Sequence, residues 1–231
     1  MLAHRVMMAG RRAYADEVMA DSPAAYWKLD ETSGTTAADS SGNGNNGTYG
    51  GGVTLNQSPL IVSGKAIVAT ANSQPAVAGP NIAASTALAA EIWLKLAAPA
   101  ANRAVFGKYA SGSWPVWSVE IASDGKLAAG LYLGNSPTGR VVVTTPASIA
   151  DNQRHKIGVS WDKAGDQKVH LYVDGVQVAE SAAWNNTLWA GSGHTVMVYQ
   201  AGSESIKFDE ASVYTHALSA TRVQAHYNAG A

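Results

Sequence analysis

Residues 168–179 read Lys168-Val-His-Leu-Tyr-Val-Asp-Gly-Val-Gln-Val-Ala179 and predict a β-hairpin. Val169, Leu171 and Val173 alternate with polar or amphipathic neighbours, which is typical of a strand with one buried face. The Asp-Gly pair at 174–175 tolerates the positive φ angles that a two-residue type I′ turn needs. This stretch therefore predicts two antiparallel strands joined by a tight turn.

The strand upstream of the hairpin has the same pattern, because Ile157, Val159 and Trp161 alternate with smaller residues. Similar segments recur along the chain with turn residues, and no amphipathic helix, between them. The predicted strands are Ala25–Leu29, Ile61–Ala69, Leu88–Leu96, Arg103–Tyr109, Val116–Ala122, Lys126–Leu133, Arg140–Thr145, Lys156–Trp161, Lys168–Val173, Val176–Glu180, Thr195–Gln200 and Ile206–Tyr214. This succession predicts an all-β fold, a two-sheet antiparallel jelly-roll sandwich.

Two short helical segments flank the predicted strands. Tyr14–Met19 can form one helical turn before the Ser-Pro pair at 22–23 ends it. Near the C-terminus, Ser219 is suited to the N-cap position of a helix, and Leu218 and Val223 are spaced for a hydrophobic staple. Gly230 is predicted to follow the last turn of this helix.

Residues 1–13 are predicted to form an N-terminal arm, followed by one domain at 14–231 that no linker interrupts. The arm has two interpretations. It is either a frayed terminus or a docking peptide that becomes ordered on a partner. The side chains that would dock are Leu2, Arg5, Val6, Met7, Arg11 and Arg12.

The composition argues against several kinds of partner and site. Sixteen Lys and Arg residues offset 17 Asp and Glu residues, so the net charge of −1 gives no general attraction to nucleic acid or an anionic membrane. The chain has no Cys, which excludes disulfides and thiolate metal sites. No apolar run approaches the roughly 20 residues of a membrane span, and the first residues lack the apolar core of a signal peptide. We therefore expect neither nucleic acid nor membrane as a partner.

Several motifs, in this order, resemble the laminin-G-like domains of the concanavalin A-like lectin/glucanase superfamily, in the form found in bacterial and phage surface proteins. They are Tyr14–Gly34, the loop Asp39–Thr48, Glu91–Leu96, Gln153–Asp162, the Tyr172–Gly175 turn region and Phe208–Ser219. The resemblance extends from about Tyr14 to the end of the chain. It implies a concanavalin A-like jelly roll with a short C-terminal helix, a fold that often holds one structural calcium.

The resemblance also implies that the loop Asp39–Thr48 lies beside the strand that carries Asp209. A loop rich in Asp, Asn and Gly offers oxygens to a hard cation, so one structural calcium ion, and no other cofactor, is predicted. The predicted ligands are Asp39, Asn43, Asn45 and Asp209. In the alternative interpretation, the same side chains form Asx-turns and hydrogen bonds alone hold the loop.

No catalytic residue is predicted. Glycoside hydrolysis needs two carboxyl groups that face the same bond, and the acidic pattern of the superfamily's glucanases, Glu-x-Asp-x-x-Glu, is absent. The acidic pairs at 30–31 and 209–210 are adjacent in sequence, so their side chains are expected to point to opposite sides of a strand. We therefore predict that the protein is not an enzyme.

Tryptophan side chains offer another kind of site. Trp27, Trp93 and Trp161 have apolar neighbours and are predicted to lie in the core. Other indoles lie in or beside segments rich in Gly, Ser and Asn, where a ring could stack on a sugar and an amide could bond its hydroxyl groups. The predicted carbohydrate-binding residues are Trp114, Trp117, Trp184, Asn185, Asn186 and Trp189. The alternative is that these indoles pack under loops or at a protein contact.

Together these features predict a non-catalytic virion surface protein, either a phage capsid decoration or a tail-associated protein, that displays a laminin-G-like adhesion module. Its partners would be other virion proteins, bound through the arm, and a host or environmental glycan. A homo-oligomer on the particle is compatible with this prediction. The virion location rests on analogy with proteins that carry such domains. The alternative is a carbohydrate-binding lectin module of a bacterial cell-surface or extracellular system.

Overall fold

The computed structural model describes residues 13–70, 85–97, 101–110, 115–132, 139–189, 193–196 and 204–231. Two helices lie in these ranges, α1 (Tyr14–Met19) and α2 (Ala220–Gly230). The strands are β1 (Ala25–Trp27), β2 (Thr36–Ala37), β3 (Gly47–Thr48), β4 (Val53–Gln57), β5 (Ala66–Ala69), β6 (Ala87–Ala97), β7 (Arg103–Ala110), β8 (Pro115–Ile121), β9 (Leu127–Tyr132), β10 (Arg140–Thr144), β11 (Asp151–Asp162), β12 (Val169–Val173), β13 (Val176–Glu180), β14 (Gly193–Val196) and β15 (Ile206–Tyr214).

The strands form two large antiparallel sheets that pack face to face. The eight-stranded sheet has the order β13-β12-β11-β6-β15-β5-β4, with β1 also paired to β15. The five-stranded sheet has the order β10-β9-β8-β7-β14, and β2 pairs with β3 separately. Apolar side chains from both sheets, including Trp27, Trp117 and Trp161, form one core between the layers. The predicted all-β sandwich is confirmed.

The predicted hairpin is present as β12 and β13. Val173 pairs with Val176, and the two residues between them both have positive φ, +52° at Asp174 and +79° at Gly175. This is the backbone that a type I′ turn requires. Gly175 also lies against α2, where an added Cβ would come within 2.9 Å of the Tyr227 Cβ atom. The glycine in the turn therefore allows the hairpin to form and allows α2 to pack closely against it.

Both helices cover the outer face of the eight-stranded sheet. Ser219 is the N-cap of α2, and its side chain accepts a hydrogen bond from the Arg222 N–H. Gly230 is the last helical residue rather than the residue after the helix. An added Cβ there would lie 2.8 Å from the Trp93 ring, so the glycine permits close packing of the helix end. No helix within the described ranges has the length and apolar character needed to cross a membrane.

A second buried cluster lies between these helices and the sheet. Its apolar members are Tyr14, Val18, Tyr26, Leu60, Ile61, Ala89, Trp93, Tyr172, Tyr214, Leu218 and Val223. The cluster also contains charged groups, because Glu91 on β6 and Lys156 on β11 are 1% exposed and bonded to each other, and His226 on α2 is fully buried beside Glu91. The outer face of the large sheet is therefore a second core and not an open surface.

Candidate functional site

The loop that was predicted to bind calcium is organised by the carboxylate of Asp39. Oδ1 accepts hydrogen bonds from the N–H groups of Tyr26 at 3.0 Å and Ser41 at 2.9 Å. Oδ2 accepts bonds from the Ser41 hydroxyl and the Asn45 N–H, both at 2.8 Å. Partial burial favours a raised pKa, but these donors outweigh it and hold the pKa of Asp39 below its ordinary value. The Asp39 carboxylate thus already accepts four hydrogen bonds.

The other predicted ligands also have hydrogen-bonding roles. The Asn45 amide donates to the Ala24 carbonyl oxygen at 2.8 Å, and the Asn43 amide donates to the same carbonyl at 3.2 Å. Asp209 lies on β15 and not in the loop, and its Oδ2 accepts a hydrogen bond from the Leu60 N–H at 2.8 Å. Among the described residues, no group of three or more His, Cys, Asp or Glu side chains is arranged to hold a metal ion. The loop chemistry matches the Asx-turn alternative, and the calcium ion stays a prediction.

The acidic pair on β15 differs from the sequence-based expectation. The pairing of β15 with β6 is irregular between Asp209 and Ser212, and Glu210 has a φ of +52°. Phe208 and Ala211 both point into the core between the sheets. The two acidic side chains between them therefore lie together on the outer face of the sheet. The expectation of opposite sides fails because the bulge interrupts the alternation of the strand.

This acidic pair is buried under other elements. Asp209 is 0% exposed and Glu210 is 4% exposed, and the Tyr26 hydroxyl donates a hydrogen bond to Glu210. Burial, followed by the Glu210 charge, raises the pKa of Asp209 to about 8. Burial also raises the pKa of Glu210 to about 8, although its bond from Tyr26 opposes the shift. Both carboxyl groups are therefore enclosed by protein.

Two predicted sugar-stacking indoles lie in the core between the sheets. Trp117 is 1% exposed and packs edge-on against Phe106, with ring centroids 5.1 Å apart. Trp184 is 8% exposed and packs against Trp161 in the same way at 5.3 Å. This burial corrects the prediction that their ring faces are open to a sugar. They follow the packing alternative instead.

The other predicted carbohydrate-binding residues have varied surroundings. Trp189 is half-buried against the core, and its backbone N–H donates to the Tyr132 carbonyl oxygen at 3.0 Å. Asn185 is exposed and Asn186 is half-buried, so both stay candidates. Trp114 and the predicted docking side chains of the arm lie outside the described residues. The described members of the predicted set therefore do not all lie at an open surface.

An open cleft that the sequence analysis missed lies at the N-terminal end of α2. The α2 cleft has a volume of about 430 Å³ and is lined by Ser160, Asp162, Gly165, Asp166, His170, Tyr172 and residues 217–220. The Ser160 hydroxyl donates to the Leu218 carbonyl oxygen at 2.8 Å and accepts from the Leu218 N–H at 3.0 Å. These bonds fix the segment before α2 against β11 and form the base of the cleft.

Polar groups of the turn between β11 and β12 form the wall of the α2 cleft. Asp166 accepts the Lys168 N–H at 3.0 Å, and its Oδ2 lies 3.0 Å from His170 Nε2. The Lys168 N–H, with the His170 ring beside it, holds the pKa of Asp166 below its ordinary value. Tyr172 is 3% exposed and lines the same cleft. The cleft thus combines carboxylate acceptors with a phenol donor.

Comparison with protein families identifies the fold. A laminin-G family model, described as the Concanavalin A-like lectin/glucanases superfamily, matches residues 68–224, which is more than half of the chain. The chain belongs to this superfamily. The resemblance inferred from the sequence motifs is thereby confirmed. No curated protein sequence matches this superfamily member.

Solved structures share the fold at low sequence identity. The binding domain of Paraclostridial Mosquitocidal Protein 1 aligns with a TM-score of 0.71 and 15% identity, covering 91% of this chain and 52% of that one. The binding domain of Botulinum Neurotoxin DC in complex with SialylT aligns with a TM-score of 0.66 and 15% identity, at the same coverage. Trypanosoma rangeli sialidase, in complex with a 2,3-difluoro-nononic acid derivative, aligns at 0.62 and 11% identity, covering 89% of this chain and 32% of the sialidase.

The chain spans about half the length of the toxin binding domains and a third of the sialidase. At these identities the likeness extends to the lectin-like fold alone. The ligands of those complexes belong to larger proteins, and a shared fold does not place their binding sites in this chain.

Proposed function

We propose that this concanavalin A-like domain is a non-catalytic, glycan-binding adhesion module. One contrast supports the proposal: the adjacent acids Asp209 and Glu210 are sealed inside the protein, whereas the polar α2 cleft is open. Binding needs accessible hydrogen-bonding groups in a concave site, and hydrolysis needs accessible, paired carboxyl groups. The buried acids and the open cleft therefore support glycan binding and not glycan hydrolysis.

The burial of the acidic pair argues against a glucanase. A retaining or inverting glycosidase places its two carboxyl groups on either side of the bond to be broken. Here the Tyr26 hydroxyl is bonded to Glu210, and the Leu60 N–H is bonded to Asp209. A substrate could reach these groups only after displacement of β1 and the loop at 58–65. The pair is therefore closed to a substrate in the folded domain.

The α2 cleft provides the open site that a binding module needs. Its volume of about 430 Å³ is comparable with small-ligand sites, which measure about 300–1,000 Å³. A sugar hydroxyl both donates and accepts hydrogen bonds, so a wall with carboxylates and a phenol suits it. Two of the solved structures with this fold are complexes with sialylated or sialic-acid-like ligands, which lends the glycan class further support.

We also propose that the module is displayed on a virion. The module would be a phage capsid decoration or tail-associated protein, held by the arm at residues 1–13 and facing outward. Its support is the basic and apolar sequence of the arm, together with the analogy to phage surface proteins that carry laminin-G-like domains. Deletion of residues 1–13 should abolish co-sedimentation with particles and leave the circular dichroism spectrum unchanged. Continued co-sedimentation would reject the docking role of the arm.

A glycan array probed with the full chain tests the binding function. We expect selective retention on a subset of printed glycans. Incubation of the retained glycans with the protein should release no reducing sugar. Release of sugar would overturn the non-catalytic part of the proposal. Absence of binding across the array would overturn the glycan-binding part.

A further inference from the structure

We propose that the α2 cleft selects uncharged sugar units through their hydroxyl groups and disfavours sialylated or sulfated glycans. This inference rests on the glycan-binding function proposed above and names the ligand class of its site. It does not follow from the ligands of the sialyl complexes with this fold, and it is argued from this chain's own residues.

The cleft contains the pair Asp166 and His170, four residues apart in sequence, and a second pair with the same spacing lies outside the cleft. At the start of β11, His155 Nε2 lies 3.1 Å from Asp151 Oδ1, and its Nδ1 lies 2.7 Å from Asp174 Oδ2. Both ring nitrogens are therefore bonded. That pair is a closed structural unit.

The pair in the cleft is not closed. His170 Nε2 lies 3.0 Å from Asp166 Oδ2, but its Nδ1 has no hydrogen-bond partner among the described residues and lies 3.8 Å from Glu180 Oε2. A separation of 3.8 Å is too long for a hydrogen bond. The Asp166 side chain is 53% exposed, so its oxygens keep room for further donors. The ring is thus held by Asp166, which also faces the open space.

Tyr172 supplies a hydrogen-bond donor to the cleft. The residue is 97% buried, since only 3% of its surface is exposed, and its hydroxyl forms no hydrogen bond within the described part of the chain. Unlike the hydroxyls of Tyr14 and Tyr214, the Tyr172 hydroxyl is not fully buried, so it is accessible from the cleft that Tyr172 lines. Burial, followed by the charges of Asp166 and Glu91, raises the pKa of Tyr172, which keeps the phenol a donor. A sugar hydroxyl in the cleft can accept from Tyr172 and donate to Asp166.

The charge balance of the cleft disfavours anions. Asp162 and Asp166 both line it, whereas the nearby cation Lys168 is engaged in an ion pair with Glu180. The N-terminal end of α2 contributes the equivalent of roughly half a positive charge, which is smaller than the charge of the two carboxylates. A sialic acid carboxylate or a sulfate would therefore meet net repulsion. Uncharged hydroxyls would not.

The experiment compares the full chain and three variants on printed neutral glycans and on their sialylated or sulfated counterparts. The variants are Asp166→Asn, Tyr172→Phe and the control Asp151→Asn. Asp151 is a matched control because it also caps a backbone N–H two residues on, pairs with a His four residues on, and is 54% exposed. Circular dichroism and thermal melts establish that each variant is folded.

For the wild type we expect neutral glycans to bind at least about tenfold more tightly than their anionic counterparts. Asp166→Asn should weaken neutral-glycan binding by about tenfold and narrow the gap to anionic glycans, and Tyr172→Phe should weaken binding by about threefold to tenfold. Asp151→Asn should match the wild type. Preference for anionic glycans, or unchanged binding by both cleft variants, would overturn this inference alone. Absence of all glycan binding by the wild type would instead remove the proposed function.

Discussion

Nδ1 of His226 lies 2.5 Å from Oε2 of Glu91, and both side chains are fully buried. The other oxygen of Glu91 is bonded to the buried Lys156, and Nε2 of His226 lies 2.8 Å from Asp21 Oδ2. One imidazole ring therefore joins α2 to the large sheet and to the segment that follows α1. This arrangement sets the position of α2 and hence of the cleft at its N-terminal end.

We expect His226→Ala to lower the free energy of unfolding by about 3 kcal/mol, because the change leaves one oxygen of a buried carboxylate unpaired. Urea unfolding followed by tryptophan fluorescence measures the change. His216→Ala is the control, since His216 is exposed at the segment before α2. Equal stability of the two variants would show that the His226 bonds contribute nothing net.

The acidic pair Asp209 and Glu210 predicts an unusual dependence of stability on pH. Both groups lose their protons near pH 4 in the unfolded chain, but their folded-state pKa values are about 8. Between these values the folded state holds more protons, so stability decreases as pH rises from about 4 to 8 and is level above that range. We expect the wild type to lose a few kcal/mol over this interval, as measured by urea unfolding at fixed ionic strength.

Asp209→Asn tests which residue causes that decrease. The amide oxygen can still accept the Leu60 N–H, and it does not ionise. The variant should show a shallower decrease and greater stability than the wild type at pH 8. Asp39 and Glu91 act in the opposite sense at low pH, because their pKa values are lowered and their contribution is lost below about pH 4. A wild-type profile that rises from pH 5 to pH 8 would contradict the burial argument.

Trp184 should affect stability and not glycan binding. Its ring packs on Trp161 in the core, so Trp184→Ala should lower the free energy of unfolding by about 3–5 kcal/mol. Asn185→Ala, one residue away at an exposed position, should change it by less than about 0.5 kcal/mol. Thermal and urea unfolding measure both effects. Trp184→Phe provides a folded variant for the glycan array, and a selective loss of binding there would restore the stacking role.

The alternation of side chains made the sandwich predictable from sequence. Val169, Leu171 and Val173 define a buried face, and Asp174-Gly175 defines the turn, because both signals are local. The position of Trp184 was not predictable in this way. Its Asn and Thr neighbours suggested a loop surface, but a distant residue, Trp161, places its ring in the core.

The bulge at Glu210 and the α2 cleft were missed for related reasons. Nothing in the local sequence marks a left-handed backbone at a glutamate, so the pair with Asp209 was expected to alternate. The cleft joins residues 160–172 to residues 217–220, which are separated by some fifty positions in the chain. Only the packing of α2 brings them together. Neither segment carries a sequence motif that predicts its contact with the other, so the cleft could not be predicted from the sequence.

The loop at Asp39 has two interpretations, a calcium site and a loop held by hydrogen bonds alone, which a stability measurement can distinguish. Because the Asp39 carboxylate already accepts bonds from Tyr26, Ser41 and Asn45, we expect Asp39→Ala to lower the free energy of unfolding by about 2–4 kcal/mol in calcium and in chelator alike. Thermal melts of the wild type and the variant, each with calcium and with chelator, measure the effect. The adjacent Ser40→Ala variant serves as the control. A midpoint that rises with calcium in the wild type and not in Asp39→Ala would instead establish the predicted metal site, since a ligand that binds the folded state stabilises it by mass action.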